Sequence, residues 1–534
     1  MAGLTPAVES LIEKYRTWKR KLEAPLEEPT VHADEVVTAL ATGYEKIRRV
    51  VDWKEEHLMR RIAVERILKR RFYLNELDAE PFVLELVSGG HFPNDYIPKS
   101  KIKLVQNAIN KYKFILDHLP PVPSGKTEAE VQLPIFQIAS CEIEQILDPF
   151  SYQRADILIE CMQSLMREKI RLGKRALDKK IIDESKKETL LYVAIQQALF
   201  KFDSSVIYYN LLKKKYSNWF EISKAELSEV SQKFYSILDE FESILNHPLA
   251  GKFYKLCERY DTPFLLLGDI IRENFEDIDE KIADSKTLES LTAQAYLKRL
   301  STLKTRSYRA ALYATISVFL TNVFALYLIE IPFVKLTGIG FLNPWARLFD
   351  IFGPTLLMFF LVGTIKLPPE ENLKLVIEEV KRICYGTNEA EVHEIDVYPE
   401  SSLIVKIILK FLFTLSFLIS WGIVVFLAYL FNFPPLSYLI LVIFTALIAY
   451  TGTIIRERAK ELHVIETKAT FIDSFFSQFA LPVLHLGKWL SSKWRKINIV
   501  GIIFNLLVEV PFRTFVEFIA QWRYFLKEQR DRIH

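Results

Sequence analysis

The sequence predicts an all-α membrane protein with a large helical cytosolic domain at its amino-terminal end, four transmembrane helices, and amphipathic interfacial helices at its carboxyl-terminal end. Hydrophobic residues make up 50% of the 534 positions. Glycine accounts for only 17 of them, about 3% against a usual ~7%, which disfavours glycine-rich loops that bind phosphates and dinucleotides. The net charge is −2 in 1–300 and +5 in 301–534, and long uncharged apolar runs begin where the charge density falls.

Residues 1–300 are predicted to be helical nearly throughout, because apolar residues recur at spacings of three and four with charged residues between them. The proline-rich segment 119–125 has the composition of a linker, and it divides a helical unit 1–118 from a second helical unit 126–300. One short strand is expected at 392–397.

Four apolar runs within 310–455 predict transmembrane helices, since about twenty helical residues cross a hydrocarbon core of ~30 Å. The second run is shorter and holds Asp350 near its start, so that a full span, a re-entrant segment and a buried soluble helix stay open for it. The predicted spans are 310–329, 348–365, 411–431 and 436–455.

Positively charged residues beside the apolar runs predict the orientation. Lysine and arginine precede the first span, follow the fourth and recur through the segment 366–410, whereas the opposite loops hold only Lys335 and Arg347. The residues after Met1 also lack the apolar segment of a secretory signal. Both termini and the segment 366–410 are therefore expected in the cytosol, in a multi-pass protein of the cytoplasmic membrane.

The region 456–534 is predicted to be amphipathic and to lie on the membrane surface. Its window 474–508 has no acidic residue, and its tryptophans and basic residues suit a layer of anionic headgroups. The alternative is a basic helix packed on the cytosolic domain. The residues expected at the membrane surface are Lys488, Trp489, Lys493, Trp494, Arg495, Lys496 and Trp522.

Polar residues recur at helical spacing through 497–526, and Glu509, Arg513 and Glu517 form an i,i+4 ion ladder within this stretch. We expect an interfacial helix rather than a fifth span, because a span would bury these three charges and place the following basic residues outside. Whether 497–520 lies on the membrane or crosses it stays open at the level of sequence.

The densest basic run lies between His57 and Arg71. Its charges do not fall on one face of a helix, and acidic residues stand four positions away from several of them, which favours structural salt bridges. The alternatives are an anion or nucleic-acid site and a protein-partner site. The basic residues are Arg60, Arg61, Arg66, Lys69, Arg70 and Arg71.

Motifs that carry chemistry are weak in this sequence. The segment 124–127 has the last residues of a P-loop, but Pro120 stands where that motif requires glycine. Glu142 and Glu144 are two residues apart, which favours a solvated helix start over an acid–base pair. Asp350 is the one Asp, Glu, Lys, Arg or His within the predicted spans, which disfavours a coupled transporter. We therefore expect no catalytic residue, no metal and no cofactor, and enzymatic activity is disfavoured without being excluded. The four scattered cysteines are expected to be buried, inert thiols.

Two blocks of sequence carry a family resemblance. The first is YEKIRRVVDWKEEH, which starts at Tyr44 and continues to Arg71; the second joins the segments 487–492, 511–518 and 524–528. Both blocks resemble uncharacterised large membrane proteins of small-genome bacteria in the candidate phyla radiation. The resemblance implies a membrane protein and implies no catalytic residues.

Together these features predict an integral protein of the cytoplasmic membrane that acts as a scaffold or interaction platform. Its expected partners are the lipid bilayer and either another protein or a second copy of the chain, and nucleic acid is disfavoured. Two alternatives stay open, namely a membrane-associated enzyme with no recognisable motif and a channel or transporter for small solutes.

Overall fold

The protein is described from a computed structural model. About 81% of the described residues are helical. The chain divides into two compact units, a helical unit of Met1–Ala295, Lys374–Val397 and Phe515–His534, and a span unit of Tyr296–Leu373 and Tyr398–Thr514. The structure describes residues 3–25, 28–33, 56–338, 344–365, 368–386, 392–397, 402–458, 462, 471–497, 518, 522 and 525.

Helices dominate the described part of the chain, and two three-residue strands accompany them. The first elements are α1 (Pro6–Glu23), α2 (Glu56–Tyr73), α3 (Ala79–Ser88), α4 (Ser100–Asp117), α5 (Glu128–Leu147), α6 (Pro149–Lys169), β1 (Ile170–Leu172), α7 (Lys174–Asp178), α8 (Glu184–Phe200), α9 (Ser204–Lys215), a 3₁₀ turn (Trp219–Glu221), α10 (Lys224–Leu245), α11 (Ala250–Glu273) and α12 (Ile278–Ala283). The others are α13 (Ser285–Ala325), a π-helical turn (Leu326–Glu330), α14 (Ile331–Thr337), α15 (Pro344–Gly363), α16 (Glu370–Tyr385), β2 (His393–Ile395), α17 (Leu403–Leu430), α18 (Pro435–Arg458) and α19 (Phe471–Ile497).

One hydrophobic core takes side chains from both sides of the segment 119–125. Val64 and Ile115 enter it from before this segment, and Phe136 and Phe234 enter it from after. The predicted units 1–118 and 126–300 therefore share a core in the structure.

The segment between the second and third spans folds into the helical unit. The strand expected at 392–397 is confirmed as β2, and its partner is β1, with Ile170 opposite His393 in a parallel pair. The Tyr260 hydroxyl lies 2.8 Å from His393 Nε2, which adds a side-chain contact to the strand pair. At the start of the chain, Thr5 donates its backbone N–H to the Cys384 carbonyl oxygen at 2.8 Å, which holds α1 to the end of α16.

Gly173 shows how closely this segment packs. A Cβ atom at position 173 would lie 2.3 Å from Asp396 Cβ, nearer than side-chain atoms approach one another. The Asp396 carboxylate accepts the Ala176 backbone N–H at 2.9 Å, at the first turn of α7. Glycine at 173 therefore lets β2 and its following residues lie against α7.

The four predicted spans are confirmed as four helices that are long and apolar enough to cross a membrane. The first continues past the predicted end at 329, through the π-helical turn and α14 to Thr337. The second is Pro344–Gly363, which starts four residues earlier than expected. The third and fourth are α17 and α18, and they are joined by a short turn.

The helix α19 packs against the two last spans. Pro482 inside α19 has no N–H, so the Gln478 carbonyl oxygen loses its helical donor. The Ser416 hydroxyl of α17 donates to that oxygen at 2.7 Å, and Ser420 donates to the Phe479 carbonyl at 2.7 Å. Hydroxyl groups of a neighbouring helix thus satisfy the backbone that proline frees, as apolar surroundings require.

Candidate functional site

The basic run on α2 is paired with carboxylates. Arg61 is buried and contacts Asp203, at the start of α9. Arg70 donates to both carboxylate oxygens of Glu85 on α3 at 2.6 Å. Arg66 and Lys69 are half-buried on the same helix. These contacts favour the salt-bridge interpretation over an anion site. Ion pairs described for the run include Arg60–Asp148, Arg61–Glu65, Arg61–Asp203, Arg70–Glu85, Arg71–Glu76 and Arg71–Glu85.

The expectation of a solvated helix start at Glu142 is wrong. The helix α5 begins at Glu128, so position 142 falls in a late turn, and Glu142 is 1% exposed. Lys111 Nζ lies 2.6 Å from Glu142 Oε1, while the Tyr112 hydroxyl and Trp219 Nε1 each donate to Oε2 at 2.8 Å. The carboxylate is therefore a buried acceptor that joins α4, α5 and the 3₁₀ turn.

Glu144 is also buried, and the solvated interpretation is wrong for it too. Its carboxylate accepts the Tyr152 hydroxyl at 3.0 Å. Burial raises the pKa of Glu144 from 4.5 to about 7, although Arg60 and the hydrogen bond from Tyr152 oppose the rise. The sequence carries a partial signal for both glutamates, because the apolar residues Cys141, Ile143 and Leu147 surround them.

Charged groups at the carboxyl end of α8 and on α11 lie together in the helical unit, and Lys201 among them lines a surface groove. Lys201 Nζ lies 3.3 Å from the Tyr254 hydroxyl and 3.5 Å from both Glu258 and Asp261. Burial raises the pKa of Asp261 to about 7, against the opposing effect of Lys201. Burial lowers the pKa of Lys201, but Asp261, Tyr254 and Glu258 together raise it above its ordinary value. The three oxygen-bearing neighbours therefore favour the protonated amine. The groove has a volume of about 410 Å³ and is lined by Gln197, Lys201, Phe202, Leu245, Ala250, Gly251 and Tyr254.

The other sequence candidates for chemistry have structural roles. Thr127 is the N-cap of α5, in a capping box with Glu130, so the P-loop-like residues begin a helix. All four cysteines are free and buried as expected, and burial raises the thiol pKa of Cys161 and of Cys384 to about 12. No group of three or more histidine, cysteine or acidic residues in the described ranges is arranged to hold a metal ion.

Asp350 is the one Asp, Glu, Lys, Arg or His within the predicted bounds, but the first candidate span continues beyond its predicted end at 329. The first span extends to include Glu330, which is 1% exposed. Asn322, Leu326 and Glu330 are all buried at intervals of four, so they form one inward stripe on the helix. The Ser437 hydroxyl donates to Glu330 Oε2 from the start of α18. The Asp350 carboxyl lies against that of Glu330, close enough for a hydrogen bond between them.

Sequence reasoning missed this cluster because the uncharged run ends one residue before Glu330. The spacing of Asn322 and Glu330 was a usable signal, since two polar residues eight apart share a helix face. The pairing with Asp350 and Ser437 had no signal in the sequence, because it joins three helices.

The residues expected at the membrane surface are only partly described. Lys488 and Trp489 are exposed on α19, while Gly487 beside them is buried against α18. The backbone of 493–496 is helical, and the side chains of Lys493, Trp494, Arg495 and Lys496 lie outside the described part. Trp522 is exposed and stacks on Phe518 at 6.2 Å between ring centres. The ladder of Glu509, Arg513 and Glu517, and most of 497–520, also lie outside the described residues.

Comparisons of the chain with protein-family models, with curated proteins and with solved structures find no match.

Proposed function

We propose that the chain is an integral protein of the cytoplasmic membrane whose helical unit is an interaction platform at the inner face. The observation that carries the proposal is the parallel pairing of β1 with β2. The two strands come from opposite sides of the first two candidate spans in the sequence. Their pairing therefore limits how many times the chain between them can cross the membrane.

The pairing supports a full crossing by α15. Residues 170–172 and 393–395 can pair only on the same side of a bilayer, so the chain between them crosses an even number of times. The candidate spans between them are Ser285–Thr337 and Pro344–Gly363. A re-entrant α15 would leave one crossing and would separate the strands.

The charge distribution supports the cytosolic side for this unit. Lysine and arginine concentrate in 296–309, 366–410 and 456–460, which flank the spans at the ends that four crossings would place on one side of the membrane. The basic, tryptophan-containing end of α19 suits the same inner headgroup layer.

The connectivity of the chain supports a platform role. The helical unit is built from a long amino-terminal part and from Lys374–Val397, which is covalently joined to spans at both ends. A surface presented by this unit is thus held by several chain segments rather than by one flexible tether. A surface attached in this way suits the binding of a protein partner or of a second copy of the chain.

The topology is tested by labelling single added cysteines in intact cells with a reagent that does not cross membranes. We expect Lys335→Cys to react from outside and Arg530→Cys to react only after permeabilisation. The four native cysteines are buried and provide a low background. Reaction of position 530 from outside would overturn the proposed orientation.

The platform role is tested by purifying the full chain from mild detergent and identifying what accompanies it in stoichiometric amount. Co-purification of a protein partner or of a second copy of the chain supports the platform role. If Gly173→Val loses this partner and Gly251→Val keeps it, binding depends on the packing of 392–397 against the helical unit. Lipid or nucleotide without protein would favour the membrane-associated enzyme. Solute flux in liposomes that is lost in Asn322→Ala would favour the channel or transporter.

A further inference from the structure

Three helix segments of the span unit bring polar side chains to one place. Glu330 ends the π-helical turn, Asp350 lies in the second turn of α15, and Ser437 lies in the first turn of α18. All three are buried, with exposed fractions of 1%, 6% and 0%. Buried polar groups in an apolar bundle are costly unless they interact, and they are often functional.

The helix irregularity places Glu330 in this cluster. Leu326 and Glu330, at the two ends of the π-helical turn, are buried, whereas the three residues between them are more than half exposed. Short π-helical segments add one residue to a turn and occur frequently at functional sites.

One carboxylate oxygen of Glu330 has a hydrogen-bond donor and the other has none among the described residues. Oε2 accepts the Ser437 hydroxyl, and the buried Oε1 has no hydrogen-bond donor in the described structure. The neighbouring Asp350 carboxyl is close enough for a hydrogen bond, but two carboxylates have no hydrogen to share. One bound proton converts this repulsive contact into a hydrogen bond.

We infer that Glu330 and Asp350 form a proton-binding site, in which one shared proton ties the first, second and fourth spans together. The proton is covalently bonded to one carboxyl, which donates it in a hydrogen bond to the other. Its release to water leaves two adjacent carboxylates, whose repulsion separates the end of the first span from α15. A metal ion is disfavoured as the occupant, because two carboxylates and one hydroxyl supply fewer oxygen ligands than Ca²⁺ or Mg²⁺ takes.

Other titratable groups lie on the elements that pack here. Lys335 of α14, Arg347 of α15 and Tyr327 of the π-helical turn are exposed, and Tyr438 of α18 is half-buried. Among the charged side chains described on the π-helical turn, α14, α15 and α18, Glu330 and Asp350 are the buried ones.

Infrared spectroscopy of the purified full chain tests the site, because a protonated carboxyl has a carbonyl stretching band that an amide lacks. We expect the difference spectrum between the wild type and E330Q/D350N to contain one such band at neutral pH and to lose it at alkaline pH. The single variant S437A keeps both acids and should shift the band, since Glu330 loses the donated hydroxyl.

Three outcomes would overturn the inference. One is the absence of the band from the difference spectrum, and another is a band that S437A leaves in place. The third is loss of the band when sodium replaces choline at constant pH, which would assign the site to a monovalent cation. A thermal unfolding midpoint that falls with rising pH in the wild type and falls less in E330Q/D350N would give independent support.

Discussion

Replacing Gly487 by alanine tests whether α19 is an integral part of the bundle. A Cβ atom at 487 would lie 2.1 Å from the Ala446 carbonyl oxygen and 2.7 Å from Tyr450 Cβ. Both atoms belong to the backbone of α18 or are fixed directly to it, so neither can rotate away. The two helices must therefore separate locally to admit one methyl group.

The size of the effect follows from two opposing contributions. Alanine is preferred over glycine inside a helix by ~1 kcal/mol. An extra methyl in a well-packed contact costs ~1–3 kcal/mol. The matched control is Gly422→Ala in α17, where the added Cβ would have no neighbour within 4 Å. Because both variants gain the same helix preference, their difference isolates the cost of the contact, which we expect to be ~1–3 kcal/mol.

The assay is thermal unfolding of both variants and the wild type in the same detergent. We expect Gly422→Ala to unfold at or above the wild-type temperature and Gly487→Ala to unfold below the temperature of Gly422→Ala. A Gly487→Ala protein as stable as the control would refute the close packing of α19 on α18.

Three further predictions concern the helical unit. Glu142→Gln should lower the free energy of unfolding of the helical unit by ~3–5 kcal/mol, because Lys111 would remain buried without its carboxylate partner. The double variant with Lys111→Met should recover part of this stability in the same chemical-unfolding assay. A destabilisation below ~1 kcal/mol would contradict the importance of the ion pair. Glu144 has a folded-state pKa of about 7, raised from 4.5, so its contribution to stability is complete below pH 4.5 and is lost as the pH rises through 7. The stability of the wild type minus that of Glu144→Gln should therefore fall by up to ~3 kcal/mol over this window, and a difference that does not change with pH would refute the burial of a neutral Glu144. Gly173→Ala should weaken the packing of 392–397 and increase its proteolysis. Gly251→Ala is the control, because its added Cβ would have no neighbour within 4 Å. Equal proteolysis of the two variants would contradict the contact between Gly173 and Asp396.

The sequence by itself determined the elements of this protein. Helix period, charge density and uncharged runs of about twenty residues predicted the helical character and the four spans, and the short strand at 392–397 was also predicted correctly. These features are local, because each depends on the composition of one continuous segment. The orientation in the membrane also rests on local charge and stays a prediction.

Only the tertiary structure decided which faces meet. Glu142 looks like a surface residue until Lys111, Tyr112 and Trp219 surround it. Ser416 donates to the Gln478 carbonyl that Pro482 leaves without a helical donor, and Gln478 lies 62 positions away from it in the chain. The same holds for Glu330 and Asp350, whose contact joins two helices. Burial and hydrogen bonding between distant residues depend on how helices pack, and that packing has no signature within any single segment.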